Sequence, residues 1–360
     1  MNKRIFIVAF FAFLFLAGSV YAAIGITELR TEQLKNPLGI DVRQPRLGWR
    51  IESDEQNVMQ TAYHILVASS ADLLAQGKGD IWDSGKIESD ASQWIAYQGK
   101  PLKRNARYYW KVKVYTNRGE ADWSAPAFWS MGLLNEADWQ GQWIGLDRTA
   151  PGDSETQWSR LAARYLRKEF ALSREVKRAT VHIAGMGLYE LFINGQRIGD
   201  QVLAPAPTDY RKTILYNTYD VTPQLRKENA IGVTLGNGRF YTMRQNYKPY
   251  KIPTFGYPKL RLNLIVEYMD GSKETIATNT SWKLTTEGAI RSNNEYDGEE
   301  YDARKELGNW TQSGYDDKSW IAAQRVSIPS GTLRAQIMPG MKVMDTLKPV
   351  SIQKLGDKYI

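Results

Sequence analysis

The chain has 360 residues, 42% hydrophobic and 12% aromatic, which is enough for two or three domains with separate cores. It has no cysteine, which excludes disulfides, thiolate nucleophiles and thiolate metal sites, and only two histidines, which excludes a His-rich zinc centre within it. Its formal charge of +8 comes from 47 basic and 39 acidic residues, scattered without a basic block, so there is no electrostatic footprint for nucleic acid.

Residues 1–22 read as a secretory signal peptide. Asn2-Lys3-Arg4 is a short positive start, residues 5–17 are apolar and uncharged, and Val20-Tyr21-Ala22 suits cleavage after Ala22. The apolar run is short for a membrane span, which needs about 20 residues, and no later segment offers one. The expected destination is the periplasm or the extracellular space.

Residues 24–132 alternate with period two. Leu47, Trp49 and Ile51 share one face, as do Tyr63, Ile65 and Val67, then Tyr108, Trp110, Val112 and Val114. Asn117-Arg118-Gly119 turns the chain. Strands at this spacing predict a seven-strand sandwich of about 100 residues, with Trp49 packed on aliphatic side chains in place of a disulfide. Residues 133–161 form a junction. Trp139 and Trp143 there read either as a wedge between domains or as a sugar platform, and the polar stretch 149–157 reads as an exposed loop.

Residues 162–339 predict a second sandwich. Alternation recurs at Ala179, Val181 and Ile183, then at Tyr189, Leu191 and Ile193. Asn194-Gly195 follows as a tight hairpin turn, because both residues take positive φ cheaply. Pro205 and Pro207 then interrupt pairing, since proline donates no ladder hydrogen bond. Further strands run through residues 214–219, through Ile231, Val233 and Leu235, and through Leu260, Leu262, Leu264 and Val266. Eight or more strands without a convincing helix make an all-β, jelly-roll-like fold. His64 and His182 both fall in alternating runs and read as half-buried strand residues.

Three clusters offer chemistry. In the loop 236–241, Asn237 and Arg239 are polar forks suited to vicinal hydroxyls, and Tyr241 offers a ring face. The same loop also reads as a tight turn around a packed aromatic. Asp209, with Tyr210 and Arg211, reads as a group that positions the loop through hydrogen bonds and faces a neighbouring domain, and Asp209 joins Asn237, Arg239 and Tyr241 as a carbohydrate-binding candidate. Asp297, Glu299, Glu300 and Asp302 supply hard oxygens suited to Ca²⁺, or paired carboxylates suited to glycosidic chemistry. Neighbours on a strand face opposite ways, so these four cannot all converge, and interdomain pairing with Arg304 is the expected role. No catalytic residue is identified.

Several motifs, in order, carry a resemblance. GMGLYELFINGQRIGDQVLAP at 185–205 is followed by TDY at 208–210, YNTYDV at 216–221, IGVTLGNGRFY at 231–241 and GEEYDAR at 298–304. This series resembles the N-terminal β-domain of bacterial α-L-rhamnosidases of glycoside hydrolase family 78. The segment LRTEQLKNPLGIDVRQPRLGWRI resembles the opening of the same enzymes, and the first sandwich resembles a fibronectin type III domain. The resemblance implies the non-catalytic front of an exported enzyme that removes terminal rhamnose from glycans by inverting hydrolysis. The acid and base would lie on a helical barrel absent from this sequence, and residues 340–360 would begin a further β-domain of a truncated chain. The implied partners are that barrel and a rhamnose-containing glycan. Some family members bind rhamnose through Ca²⁺, using an Asp-Asn pair where Gly185-Met186-Gly187 stands here. No cofactor is therefore expected, and the Gly-Met-Gly departure counts against Ca²⁺. The alternative from another class is a free-standing carbohydrate-binding or adhesion module.

Overall fold

The computed structural model describes residues 24–147, 161–242, 255–351, 353–356 and 358–359. The expected leader at 1–22 and the loop at 149–157 lie outside the described residues.

The first sandwich sets a three-stranded sheet (Gly25–Thr31, Arg46–Glu52, Ile95–Ala96) against a five-stranded one (Trp82–Glu88, Gln60–Ala68, Arg107–Thr116, Gly119–Glu120, Ala127–Ser130). Arg107–Thr116 shows why. Tyr108, Trp110, Val112 and Val114 are buried, and the residues between them are not. Burying a large apolar side chain of this kind stabilises the fold by about 1.5–3 kcal/mol. Trp49 departs from expectation. Its ring meets Tyr63 edge-on at 5.3 Å, and its Nε1 donates to Gln60 Oε1 at 3.0 Å. Buried indole N–H groups need an acceptor, and a wholly aliphatic setting would have denied it one.

The second sandwich pairs a six-stranded sheet with a seven-stranded one, among the described residues. Val176–Met186 sits inside the seven-stranded sheet, between Lys259–Tyr268 and Thr213–Asp220. Leu188–Ile193 belongs to the other sheet. The chain crosses between them at Gly187, where φ is +118° and a Cβ would lie 2.1 Å from Gly236 O, so only glycine fits. Asn194 and Gly195 both take positive φ, as the hairpin reading requires, and Ile193 pairs with Gln196 across them. Within the expected junction, Ile144–Gly145 is itself a strand of the seven-stranded sheet, bonded to Lys259–Tyr268 and Gln324–Arg325. Residues 339–351 are largely exposed, and a short hairpin pairs Lys354–Leu355 with Lys358–Tyr359.

The two sandwiches meet through polar contacts over a shared apolar cluster. Trp139 and Trp143 are 6% and 4% exposed and pack with Leu133 and Tyr216. They are a wedge, and burial rules out the sugar-platform reading. The Tyr216 hydroxyl accepts from Leu133 N and donates to Leu133 O, each at 3.2 Å. Arg107 of the first sandwich pairs with Asp220 of the second at 2.8 Å. His182 is fully buried, not half-buried, because it fills this joint. Its Nε2 lies 3.1 Å from Asn105 Oδ1 and its Nδ1 lies 3.0 Å from Thr218 Oγ1. A carbonyl oxygen only accepts, so Nε2 carries the proton and Nδ1 accepts from the threonine.

Candidate functional site

One end of the seven-stranded sheet gathers the residues of a cavity. Met186, the last residue of its strand, lies opposite Lys259, the first residue of the next, and Lys259 lies opposite Gly145. Asp147 follows the short strand Ile144–Gly145, Ser327 follows Gln324–Arg325, and Tyr210-Arg211 precedes Thr213–Asp220. The register of the sheet therefore brings together residues far apart in sequence. The cavity is open to solvent and measures about 350 Å³.

Its aromatic lining is ordered. Tyr210 meets Phe240 edge-on at 5.2 Å and Phe255 at 5.3 Å, and Phe240 stacks on Phe255 at 6.0 Å. Burial raises the Tyr210 phenol above its ordinary range, so it stays protonated and able to donate. Behind the lining, Arg164 is fully buried with its guanidinium 5.8 Å from the Tyr257 ring centre. Burial pushes the Arg164 guanidinium down to about 10.

The polar lining centres on Lys259. Its ammonium donates to Ser327 Oγ at 2.7 Å and faces both oxygens of Asp147 at 3.3 Å each. Arg211 donates through Nε to Asp209 Oδ1 at 3.1 Å and holds its guanidinium 6.0 Å from the Phe255 ring centre.

The residues singled out from sequence fall differently around this cavity. Asn237 is 2% exposed and spends its amide N–H groups on Leu161 O and Asn293 O, both at 2.7 Å. It is a structural clamp and is not presented to a ligand. Arg239 is committed to Glu295 at 2.8 Å and Tyr296 Oη at 3.1 Å. Tyr241 stacks on Tyr257 at 5.7 Å. Phe240, not Tyr241, is the ring that lines the cavity. The packed-aromatic reading of the loop is thus the one the geometry favours. Asp209 is a turn residue. Its backbone oxygen accepts from Lys212 N and Thr213 N, and its carboxylate fixes Arg211 at the rim. The Arg211 hydrogen bond holds the Asp209 carboxyl below its usual range.

The acidic cluster does not converge. Asp297 accepts from Asn294 Nδ2 at 2.8 Å, and Glu299 and Glu300 sit exposed on the Gly298–Tyr301 strand. Asp302 pairs with Arg304, two residues on, at 2.8 Å, and that contact brings its carboxyl down to about 2. The pair is local, since Arg304 lies two positions on across a short helical turn. Among the described residues, no three His, Asp or Glu side chains gather closely enough to hold a metal ion. Sequence reasoning missed Lys259, Asp147, Ser327 and Phe255, because no local pattern marks residues that only sheet register joins.

Residues 26–135 match the model of the Rha78A-like N-terminal immunoglobulin domain, and residues 174–345 match that of the α-L-rhamnosidase N-terminal domain. The chain belongs to the α-L-rhamnosidase family, as its N-terminal domains. An α-L-rhamnosidase of Formosa agariphila is 39% identical over 342 residues, covering 89% of this chain and 36% of the relative. One from Alteromonas sp. (strain LOR) is 33% identical over 332 residues, covering 90% and 36%. The solved α-L-rhamnosidase of Dictyoglumus thermophilum superposes with a TM-score of 0.83 at 38% identity, over 94% of this chain and 38% of its own. That of Streptomyces avermitilis, solved with L-rhamnose, gives 0.82 at 25% identity, over 92% and 48%. The chain thus spans about a third to a half of the length of the curated relatives it matches. The cavity lies in the part that matches the rhamnosidase N-terminal domain, apart from Asp147 just ahead of it.

Proposed function

We propose that this chain is the non-catalytic front of an exported α-L-rhamnosidase. The two sandwiches form a scaffold for a catalytic part that hydrolyses terminal α-L-rhamnosyl groups of glycans with inversion. The carrying observation is the ordered match of both N-terminal domain models over about a third of the relatives' length. The polar joint between the sandwiches supports a scaffolding role, because it fixes their relative orientation. The charged start and apolar run at residues 1–17 support export with cleavage after Ala22. No cofactor enters this reading of the front portion.

The purified chain is expected to release no p-nitrophenol from p-nitrophenyl α-L-rhamnopyranoside. Release above the blank that persists through further purification would overturn the reading. Expressed in a bacterium with a periplasm, the chain should begin at Ala23 by mass spectrometry, and an intact N-terminus in that fraction would count against export. A second reading, a carbohydrate-binding module, is favoured by the cavity beside the Asp209 turn. Calorimetric titration with rhamnose and rhamnose-containing polysaccharide, with and without Ca²⁺, tests it, and no heat in either buffer removes rhamnose as its ligand.

A further inference from the structure

The cavity is rich in hydrogen-bond donors. The two oxygens of one carboxylate subtend roughly 40° at a nitrogen 3.3 Å from both, whereas ammonium N–H bonds spread by about 109°. One N–H of Lys259 therefore serves both Asp147 oxygens, and a second goes to Ser327. The third has no partner among the described residues. Lys259 is more than nine-tenths buried, so bulk water does not readily meet that need. Arg211 uses only Nε, toward Asp209, which leaves both Nη groups at the rim without a partner among the described residues. The Tyr210 hydroxyl makes no hydrogen bond to any described residue either, and it stands in a ring of aromatic faces. Among the described lining residues Asp147 is the one carboxylate, and Lys259 pairs with it. The unpartnered N–H groups of Lys259 and Arg211 thus line one cavity with apolar ring surface.

We propose that this cavity binds an acidic pyranose, its ring against Phe255 and its acid group on the open N–H groups of Lys259 and Arg211. Charge-assisted bonds to an anion are roughly twice as strong as neutral ones, and an arginine fork suits a planar carboxylate. An aromatic wall takes the C–H face of a sugar ring. The volume of about 350 Å³ holds one sugar residue rather than a long oligosaccharide. The choice of a sugar rests on the glycan-directed reading above. The choice of an acid rests on the donors alone.

Titration calorimetry of the 360-residue chain at low ionic strength tests this with D-glucuronate, D-glucose 6-sulfate and D-glucose as probes. At least one acid sugar should bind roughly tenfold or more tightly than glucose. Which one binds more tightly distinguishes a carboxylate from a sulfate ester as the source of the charge. Arg211→Ala lies on the exposed rim and leaves the core intact, as an unchanged melting curve would show. It should weaken acid-sugar binding roughly tenfold and leave glucose unaffected. Lys259→Met should abolish it. Glucose binding as well as the acid sugars, acid-sugar binding unchanged in Arg211→Ala, or no heat from any probe at millimolar concentration would each overturn the proposal. None of these outcomes bears on the rhamnoside assay, so the scaffold reading stands or falls separately.

Discussion

Acidification should loosen the joint between the sandwiches through His182. The ring is fully buried between Asn105 and Thr218, with Tyr216 edge-on at 6.1 Å. Burial, with a smaller contribution from the nearby Arg178 charge, pushes its pKa from 6.5 to about 3. The unfolded chain therefore binds a proton that the folded chain refuses between about pH 6.5 and pH 3. Stability falls as pH drops through that window and loses nothing more to this group below it. With those two values, the loss between pH 8 and pH 5 is about 2 kcal/mol. Glu267, a carboxylate of the same joint, is taken by Arg178 at 2.5 Å and by Asn105 Nδ2 at 3.3 Å. The test is urea unfolding at pH 8 and pH 5 for the native chain and for His182→Gln, whose amide can donate to Asn105 and accept from Thr218. Carboxylates titrate in both proteins, so the difference between them isolates the histidine. The native chain should lose about 2 kcal/mol more than the variant. Equal losses would refute the account of a neutral, buried histidine at the joint.

Two other substitutions probe the packing. Arg167 is buried and bonds Glu169 at 2.5 Å, Asp317, and the backbone oxygens of Trp310 and Gln312 at 2.9 Å each. Arg167→Ala strands those acceptors and should cost about 3 kcal/mol in urea unfolding, the low end for a broken buried pair because both carboxylates reach solvent; a loss within experimental error would show the network to be ornamental. Gly39 sits at φ +71°, where a Cβ would fall 2.0 Å from Thr218 Oγ1 of the other sandwich. Gly39→Ala should destabilise the chain by about 2 kcal/mol or more in urea unfolding, and Thr218→Ala in the same chain should recover little of that, because the Thr218 Cβ itself would stand 2.3 Å from the added carbon and the His182 hydrogen bond would be lost. Substantial recovery in the double variant would refute a clash with the Thr218 Cβ.

Period-two alternation made the strands legible, and the all-β reading followed from it without any tertiary information. Arg107–Thr116 and Leu188–Ile193 could be drawn from sequence because one face of each is buried and the other is not. The Asn194-Gly195 turn was equally plain, because its chemistry is local. What was hidden shares one property: it depends on partners distant in the chain. Asn237 looks like a free polar fork in sequence, yet its amide closes onto Leu161 and Asn293. His182 looks like any strand residue, but its neighbour Asn105 comes from the other sandwich. Lys259 looks like the charged start of a strand, and only the register with Gly145 puts Asp147 within its reach.

The strand Val176–Met186 ties these hidden features to one another. Arg178 and His182 on it engage Asn105 across the joint, and Met186 at its end lines the cavity. His182 and Met186 are four residues apart, about 13 Å along an extended chain. Lys259–Tyr268 holds this segment along its whole length on one side, and Thr213–Asp220 holds His182 and Ile183 on the other, so it cannot bend easily between the two places. A shift of the first sandwich would have to break the His182 and Arg178 contacts or drag this strand, and dragging it would reshape the cavity mouth at Met186 and Lys259. The joint and the cavity are therefore mechanically one unit. A mutation that frees the joint, such as Asn105→Ala, should weaken whatever the cavity binds without touching it, whereas a cavity bound with unchanged affinity in that variant would show that the sheet absorbs the strain before it arrives.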